Sequence, residues 1–96
     1  MSDNYAPFIH TFTDRFADDA QVVVSYRLRR PTPAQASRVQ KNLLKDPVLA
    51  MRNLCVDLVH EEDKNGMVDD FTKYPGLSTT IGGAVLKAVG FGDLGN

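Results

Sequence analysis

The hydrophobic period of this chain changes once, at Arg29-Arg30-Pro31, and that change limits the folds open to it. Upstream, Val22, Val24, Tyr26 and Leu28 alternate with Gln21, Val23, Ser25 and Arg27. A two-residue period rich in β-branched and aromatic side chains belongs to a strand with one covered face. Phe8, His10 and Phe12 alternate with Ile9, Thr11 and Thr13 in the same way, and Ala17-Asp18-Asp19-Ala20 has the composition of a turn. A β-hairpin over residues 7–30 is therefore predicted. Phe16 leaves a second reading of residues 13–17 as a short helical turn. Two strands alone are marginal in water, so the hairpin must pack on the rest of the chain.

Downstream the period is helical. Thr32-Pro33 places a capping hydroxyl before a proline whose missing N–H is no loss at the first helical position. Ala36, Val39 and Leu43 then mark one face, with Ser37, Arg38, Gln40, Lys41 and Lys45 opposite, as in a surface helix. Asp46-Pro47 repeats the device. Val48, Leu49, Met51, Leu54, Cys55, Val56, Leu58 and Val59 leave only a narrow polar stripe through Arg52, Asn53, Asp57 and His60, which predicts a buried core helix. Residues 61–66, ending in Asn65-Gly66, read as a turn. Met67, Phe71 and Tyr74 stripe a third short helix that stops at Pro75. Leu77, Ile81, Val85 and Val89 stripe a fourth, in which Gly82-Gly83 imply close backbone packing or a weak helix. Gly90-Phe91 suits a Schellman stop with Phe91 folding back toward Leu86. The expectation is one α+β domain over residues 1–96, an N-terminal β-hairpin packed on a bundle of about four short helices, with the helical part at 32–90 and a tail at 91–96.

Chemistry-bearing patterns are few. Glu61-x-Asp63-x-Asn65-Gly66 resembles the start of a calcium loop, but the twelfth position, where a bidentate Glu is needed, is Thr72. Cys55 and His60 fall about 140° apart around a helix and cannot pair as thiolate and imidazole. Two histidines and one cysteine, with no metal-binding spacing, leave zinc without a ligand set. Ser78-Thr79-Thr80 lack the glycine–lysine context of a phosphate loop and read as N-capping residues. No nucleophile–base pair can be named, so no enzyme, cofactor or metal is expected. The lone Cys55 excludes an internal disulfide. A polar, acidic start without a basic stretch and apolar run points to a cytoplasmic protein, and no apolar run is long enough to cross a membrane.

Arg27, Arg29, Arg30, Arg38, Lys41 and Lys45 make the 27–45 segment basic, while Asp57, Glu61, Glu62, Asp63, Asp69 and Asp70 balance it to a net charge of −1. The basic segment allows a small nucleic-acid-binding or transcriptional module as an alternative function. Against it, the helix that would read a groove is the one that looks most buried.

Arg30-Pro31-Thr32, Asp46-Pro47 with Ala50, Asn53-Leu54-Cys55, Tyr74-Pro75-Gly76-Leu77 and Gly90-Phe91, taken together, resemble a family of small proteins encoded in phage and prophage tail-gene clusters. Its members resemble tail assembly chaperones. The resemblance covers about residues 20 to 91 and rests on structural punctuation. It implies a non-enzymatic assembly factor of a prophage, acting in the cytoplasm of the bacterial host. Such a factor keeps a long helical tape-measure protein soluble while tail-tube subunits assemble. Under that implication the partner-binding residues are Arg29, Arg30, Leu86, Phe91 and Leu94, a basic pair for acidic stretches of the partner and apolar elements for its helical faces.

Overall fold

A computed structural model describes residues 4–92. Strand β1 (Tyr5–Asp14) pairs antiparallel with β2 (Ala20–Arg29), from Tyr5 opposite Arg29 to Asp14 opposite Ala20. Helices α1 (Pro33–Leu43), α2 (Pro47–Leu58), α3 (Glu61–Lys73) and α4 (Gly76–Ala88) follow. This is the expected α+β arrangement, a two-stranded layer lying on four short helices.

The alternation read from the sequence decides which face of the hairpin is covered. Val24, Tyr26 and Leu28 are buried and Phe8 and Phe12 pack against the core, while Ile9 and Val23 on the other face stay exposed. The tip at residues 15–19 is made of two tight turns. The Ala17 N–H donates to the Asp14 carbonyl (3.1 Å) and the Ala20 N–H to the Ala17 carbonyl (3.0 Å). Asp18 and Asp19 take positive φ (54° and 59°), a region that short polar side chains tolerate better than most. The helical alternative for residues 13–17 is not what forms, because Thr13 and Asp14 remain paired with β2.

Both proline-led helices start where the sequence places them. Thr32 and Gln35 form a reciprocal capping box, and the Asp46 carboxylate accepts from the Leu49 N–H (3.1 Å). Helix α1 buries only Val39, and α2 buries Ala50, Met51, Leu54, Cys55 and Leu58. Burial of α2 is not complete, however. Its first turn exposes about half of Val48 and Leu49, next to an almost fully exposed Leu44. A helix is buried only along the length its neighbours cover, and this turn stands at the α1–α2 corner.

Helix α3 departs from the sequence reading. It begins at Glu61, and Asn65-Gly66 lie inside it instead of forming a turn. A mid-helix glycine costs about 1 kcal/mol. Glu61, Glu62 and Asp63 at the positive end of the helix dipole offset this, as do the buried Met67 and Phe71. His60, expected at the C-terminal carbonyls of α2, instead caps α3, its Nδ1 accepting from the Glu62 N–H (3.1 Å). The reason lies one residue earlier. Val59 is extended and bridges to Leu28, and the His60 N–H donates to the Arg27 carbonyl (2.8 Å), so α2 ends early to stitch its junction with α3 to the edge of β2.

Helix α4 starts at Gly76 without a side-chain cap. The N-capping reading of Ser78 fails, since its buried hydroxyl donates to the Pro75 carbonyl (3.1 Å) from within the first turn. The stop is the Schellman motif, with Gly90 at φ 104°, its N–H on the Lys87 carbonyl and the Phe91 N–H on the Leu86 carbonyl (3.1 Å each). The paired glycines differ. A Cβ on Gly82 would lie 2.7 Å from the Met51 sulfur and 3.1 Å from its Cβ, whereas one on Gly83 meets nothing within 4 Å. Gly82→Ala is expected to destabilise by about 1–3 kcal/mol through overpacking. Gly83→Ala is expected to stabilise by up to about 1 kcal/mol through helix propensity. Thermal denaturation of the two single variants should give shifts of opposite sign.

Candidate functional site

Three polar ties hold the hairpin on α3, and their placement leaves its tip overhanging. At the open end, Arg27 makes a bidentate contact with Asp63 (Nε–Oδ2 3.0 Å, Nη2–Oδ1 2.9 Å) and reaches Glu62 (3.1 Å). The Arg27 backbone N–H also donates to Asp63 (2.9 Å). In the middle, the buried Tyr26 hydroxyl donates to Asp70 (2.6 Å), its ring edge-on to Phe71. Toward the tip the direction reverses, and Tyr74 donates to Asp14 of β1 (2.9 Å) while its ring meets Phe12 edge-on at 4.9 Å. Burial, then the Asp70 carboxylate, pushes the Tyr26 hydroxyl well above the tyrosine range, and hydrogen bonding to Asp14 raises Tyr74.

The Arg27 side chain and backbone hold the Asp63 carboxyl down at about 2, against an ordinary 3.8. A depressed carboxylate contributes stability that is present above the unfolded-state value and lost as pH falls through the folded one. Stability is therefore expected to decline between about pH 4 and pH 2, and Asp63→Asn should flatten that limb in acid titrations followed by circular dichroism.

Beyond the Tyr74–Asp14 tie an apolar cleft opens between the hairpin and the α3–α4 corner. It has a volume of ≈ 610 Å³ and is lined by His10, Phe12 and Phe16 from one side and Tyr74, Pro75 and Leu77 from the other. Asp14 and Lys73 stand at its rim. Phe16 is fully exposed (102%) at the overhanging tip. Its N–H donates to the Asp14 carboxylate (2.9 Å), which fixes the turn that carries the ring. A concave, mostly apolar surface with a few polar groups at its edge is what ligand and peptide sites have in common. The cleft unites residues 10–16 with residues 73–80, far apart in sequence, and this pairing was not legible in the chain. The only sequence signal was Phe16, an aromatic out of place in a polar turn.

The residues proposed from the sequence fall elsewhere. Arg29 and Arg30 are exposed and line a smaller cleft of ≈ 160 Å³ with Val85, Ala88 and Val89 at the end of α4. Arg29 also donates to the Asp57 carbonyl (3.0 Å). The structure thus places the basic pair beside the C-terminal end of α4. Leu86 does not join it: at 0% exposure it sits in the core and presents no surface to a partner. Phe91 is half-buried against the core, and Leu94 lies outside the described residues. Burial pushes the Cys55 thiol up to about 12, which leaves it a core side chain with no thiolate at neutral pH. Among the described residues no three His, Cys, Asp or Glu side chains converge as metal ligands, and no helix is long and apolar enough to cross a membrane.

Residues 9–96 match the family described as a domain of unknown function, DUF6848. The chain belongs to this family. A solved structure, that of the uncharacterised protein rbstp2171 from Bacillus stearothermophilus, is similar to this member with a TM-score of 0.67. The match covers 93% of this chain and 88% of that one at 21% identity, and it is a likeness of fold. No curated protein matches the chain.

Proposed function

We propose that this protein is a non-enzymatic protein-binding factor that captures an apolar segment of a partner in the cleft between the hairpin tip and the α3–α4 corner. The observation that carries this reading is Phe16, fully exposed at the mouth of an aromatic-lined cleft ≈ 610 Å³ in volume. Large aromatics with little rotamer entropy are the side chains that dominate binding energy at protein interfaces. The Pro- and Gly-based resemblance to phage tail proteins supports a more specific role, that of a tail assembly chaperone in the bacterial cytoplasm. Its partner would then be a tape-measure or tail-tube protein, whose amphipathic helices carry apolar stripes that fit such a cleft.

Co-expression with a tape-measure protein encoded beside the gene tests the role, and a soluble complex is expected. If the two never co-purify, the tail role fails. Phe16→Asp tests the cleft: calorimetric titration is expected to show affinity reduced at least about 30-fold, the ~2 kcal/mol of an interface anchor. The melting temperature should not change. A complex of undiminished affinity would remove the cleft from the reading.

Nucleic-acid binding through residues 27–45 is the second reading, favoured by the exposure of Arg30, Arg38, Lys41 and Lys45. Arg27 is committed to Glu62 and Asp63, and the face of α2 that packs inward is its apolar one. A mobility-shift assay that stays flat at low salt would eliminate this reading.

A further inference from the structure

The two strands of the hairpin have different outer edges. The edge of β2 is covered at its C-terminal end, where Arg27 turns its carbonyl to the His60 N–H and its own N–H to Asp63, and Leu28 bridges to Val59. Arg27 therefore points its backbone groups away from β1, and its partner Pro7 must do the same on the opposite side. The parity then sets the whole of β1: Tyr5, Pro7, Ile9, Thr11 and Thr13 direct their backbone groups to the outer edge. Among the described residues, no backbone hydrogen bond from another element reaches them. From Tyr5 to Thr13 the strand carries no Asp, Glu, Lys or Arg, the residues that usually blunt a free edge. Pro7 is the single guard, and its ring removes a donor that would have faced outward.

We propose that the edge of β1 pairs with the β1 of a second copy of this chain, antiparallel about a two-fold axis at Thr11, making a continuous four-stranded sheet. The register follows from the residues. Centred on Thr11, the outward-facing pairs are Thr11 with its own copy and Ile9 with Thr13 of the other copy, which occurs twice. Each of these three pairs exchanges two hydrogen bonds, and Pro7 lies beyond them. Moving the axis toward Tyr5 brings the Pro7 of both copies into the ladder, each without a donor and with its ring where the facing carbonyl would lie. Moving it toward the tip shortens the ladder.

Side chains agree with this register on both faces. On the exposed face every contact is between β-branched residues, the kind of cross-strand pair that stabilises a sheet. On the covered face His10 of each copy stands opposite Phe12 of the other, and these rings already stack within one chain at 5.7 Å. A segment without formal charge meets its own copy without repulsion, which favours self-pairing over capture of a charged strand. Because odd residues pair with odd, the helical layers of both copies lie on the same side of the sheet. The two clefts lined by His10 and Phe12 then open on one face, although the pairing itself does not depend on what the clefts bind.

The full-length protein is tested by sedimentation velocity over a concentration series from micromolar to millimolar. The expected result is a species of twice the 10.6 kDa chain mass that dissociates on dilution. Thr11→Pro removes an outward N–H that the hairpin does not use, and it is expected to leave a folded monomer. Thr11→Lys sets two ammonium groups face to face across the axis and should also give a monomer, as should Thr11→Glu. Mixing the Lys and Glu variants should restore the dimer, a rescue that only the Thr11 register provides. A wild type that is monomeric throughout, a Thr11→Pro variant that is still dimeric, or a mixture that stays monomeric would each overturn the proposal.

Discussion

Leu86→Ala is expected to lower stability by about 2–5 kcal/mol, the range for truncating a fully buried leucine in a core that relaxes only partly. Leu86 has 0% exposure and its carbonyl accepts the Phe91 N–H that closes α4, so the cavity opens beneath the helix stop that positions Phe91. For a domain of this size the loss corresponds to a melting temperature lower by roughly 10–40 °C. Total stability of such domains is about 5–15 kcal/mol, so the loss removes a large share of it. Phe16→Ala is the contrasting variant. It removes a larger side chain from a fully exposed position and should change stability by less than about 0.5 kcal/mol. Denaturant melts of the two variants distinguish a core leucine from a surface aromatic. A Leu86→Ala variant that melts like the wild type would contradict the burial of Leu86.

Tyr26→Phe is expected to cost about 1.5–3 kcal/mol at neutral pH, the contribution of a hydrogen bond to a charged acceptor. The buried hydroxyl donates to Asp70 at 2.6 Å, and its removal leaves that carboxylate facing a ring instead of a donor. The same bond controls behaviour in base. Burial, then Asp70, holds the Tyr26 hydroxyl protonated well above the ordinary 10.0, and burial holds the Cys55 thiol up at about 12 against an ordinary 9.0. A group whose folded-state pKa is raised contributes stability that is complete below the unfolded-state value and lost as pH rises. The wild type should therefore begin to lose stability near pH 9 and lose it steeply above pH 10. In Tyr26→Phe the curve should start lower and fall less above pH 10, because the largest raised group is gone. Urea titrations at intervals from pH 7 to pH 11 measure both effects. Parallel curves for the two proteins would contradict the role assigned to Tyr26.

The expectations that held and those that failed divide along a physical line. Thr32-Pro33, Asp46-Pro47, Tyr74-Pro75 and Gly90-Phe91 each act within four or five residues, where cap geometry and the missing proline N–H operate whatever surrounds them. Asn65-Gly66, His60 and Ser78 depart from their local signals because each has a local preference weaker than the tertiary forces on it. Met67 and Phe71 draw the helix through the glycine, and the bridge of Val59 to Leu28 makes His60 a cap. A burial deficit is equally invisible locally. Nothing in the composition of α2 distinguishes its exposed Val48 and Leu49 from its buried Met51 and Leu54.

By itself, the sequence determined a hairpin followed by four helices, the inward face of each strand, and most of the helix ends. Period and capping are short-range, and they survive without any knowledge of the fold. Only the tertiary structure decided that the hairpin rests on α3 through Arg27, Tyr26 and Tyr74, and that Leu86 is core. It alone decided that Phe12 and Phe16 face Tyr74 and Leu77 across a cleft. Those contacts join residues up to 60 positions apart. No local signal encodes which distant surfaces meet, because that is settled by the combined burial of all of them.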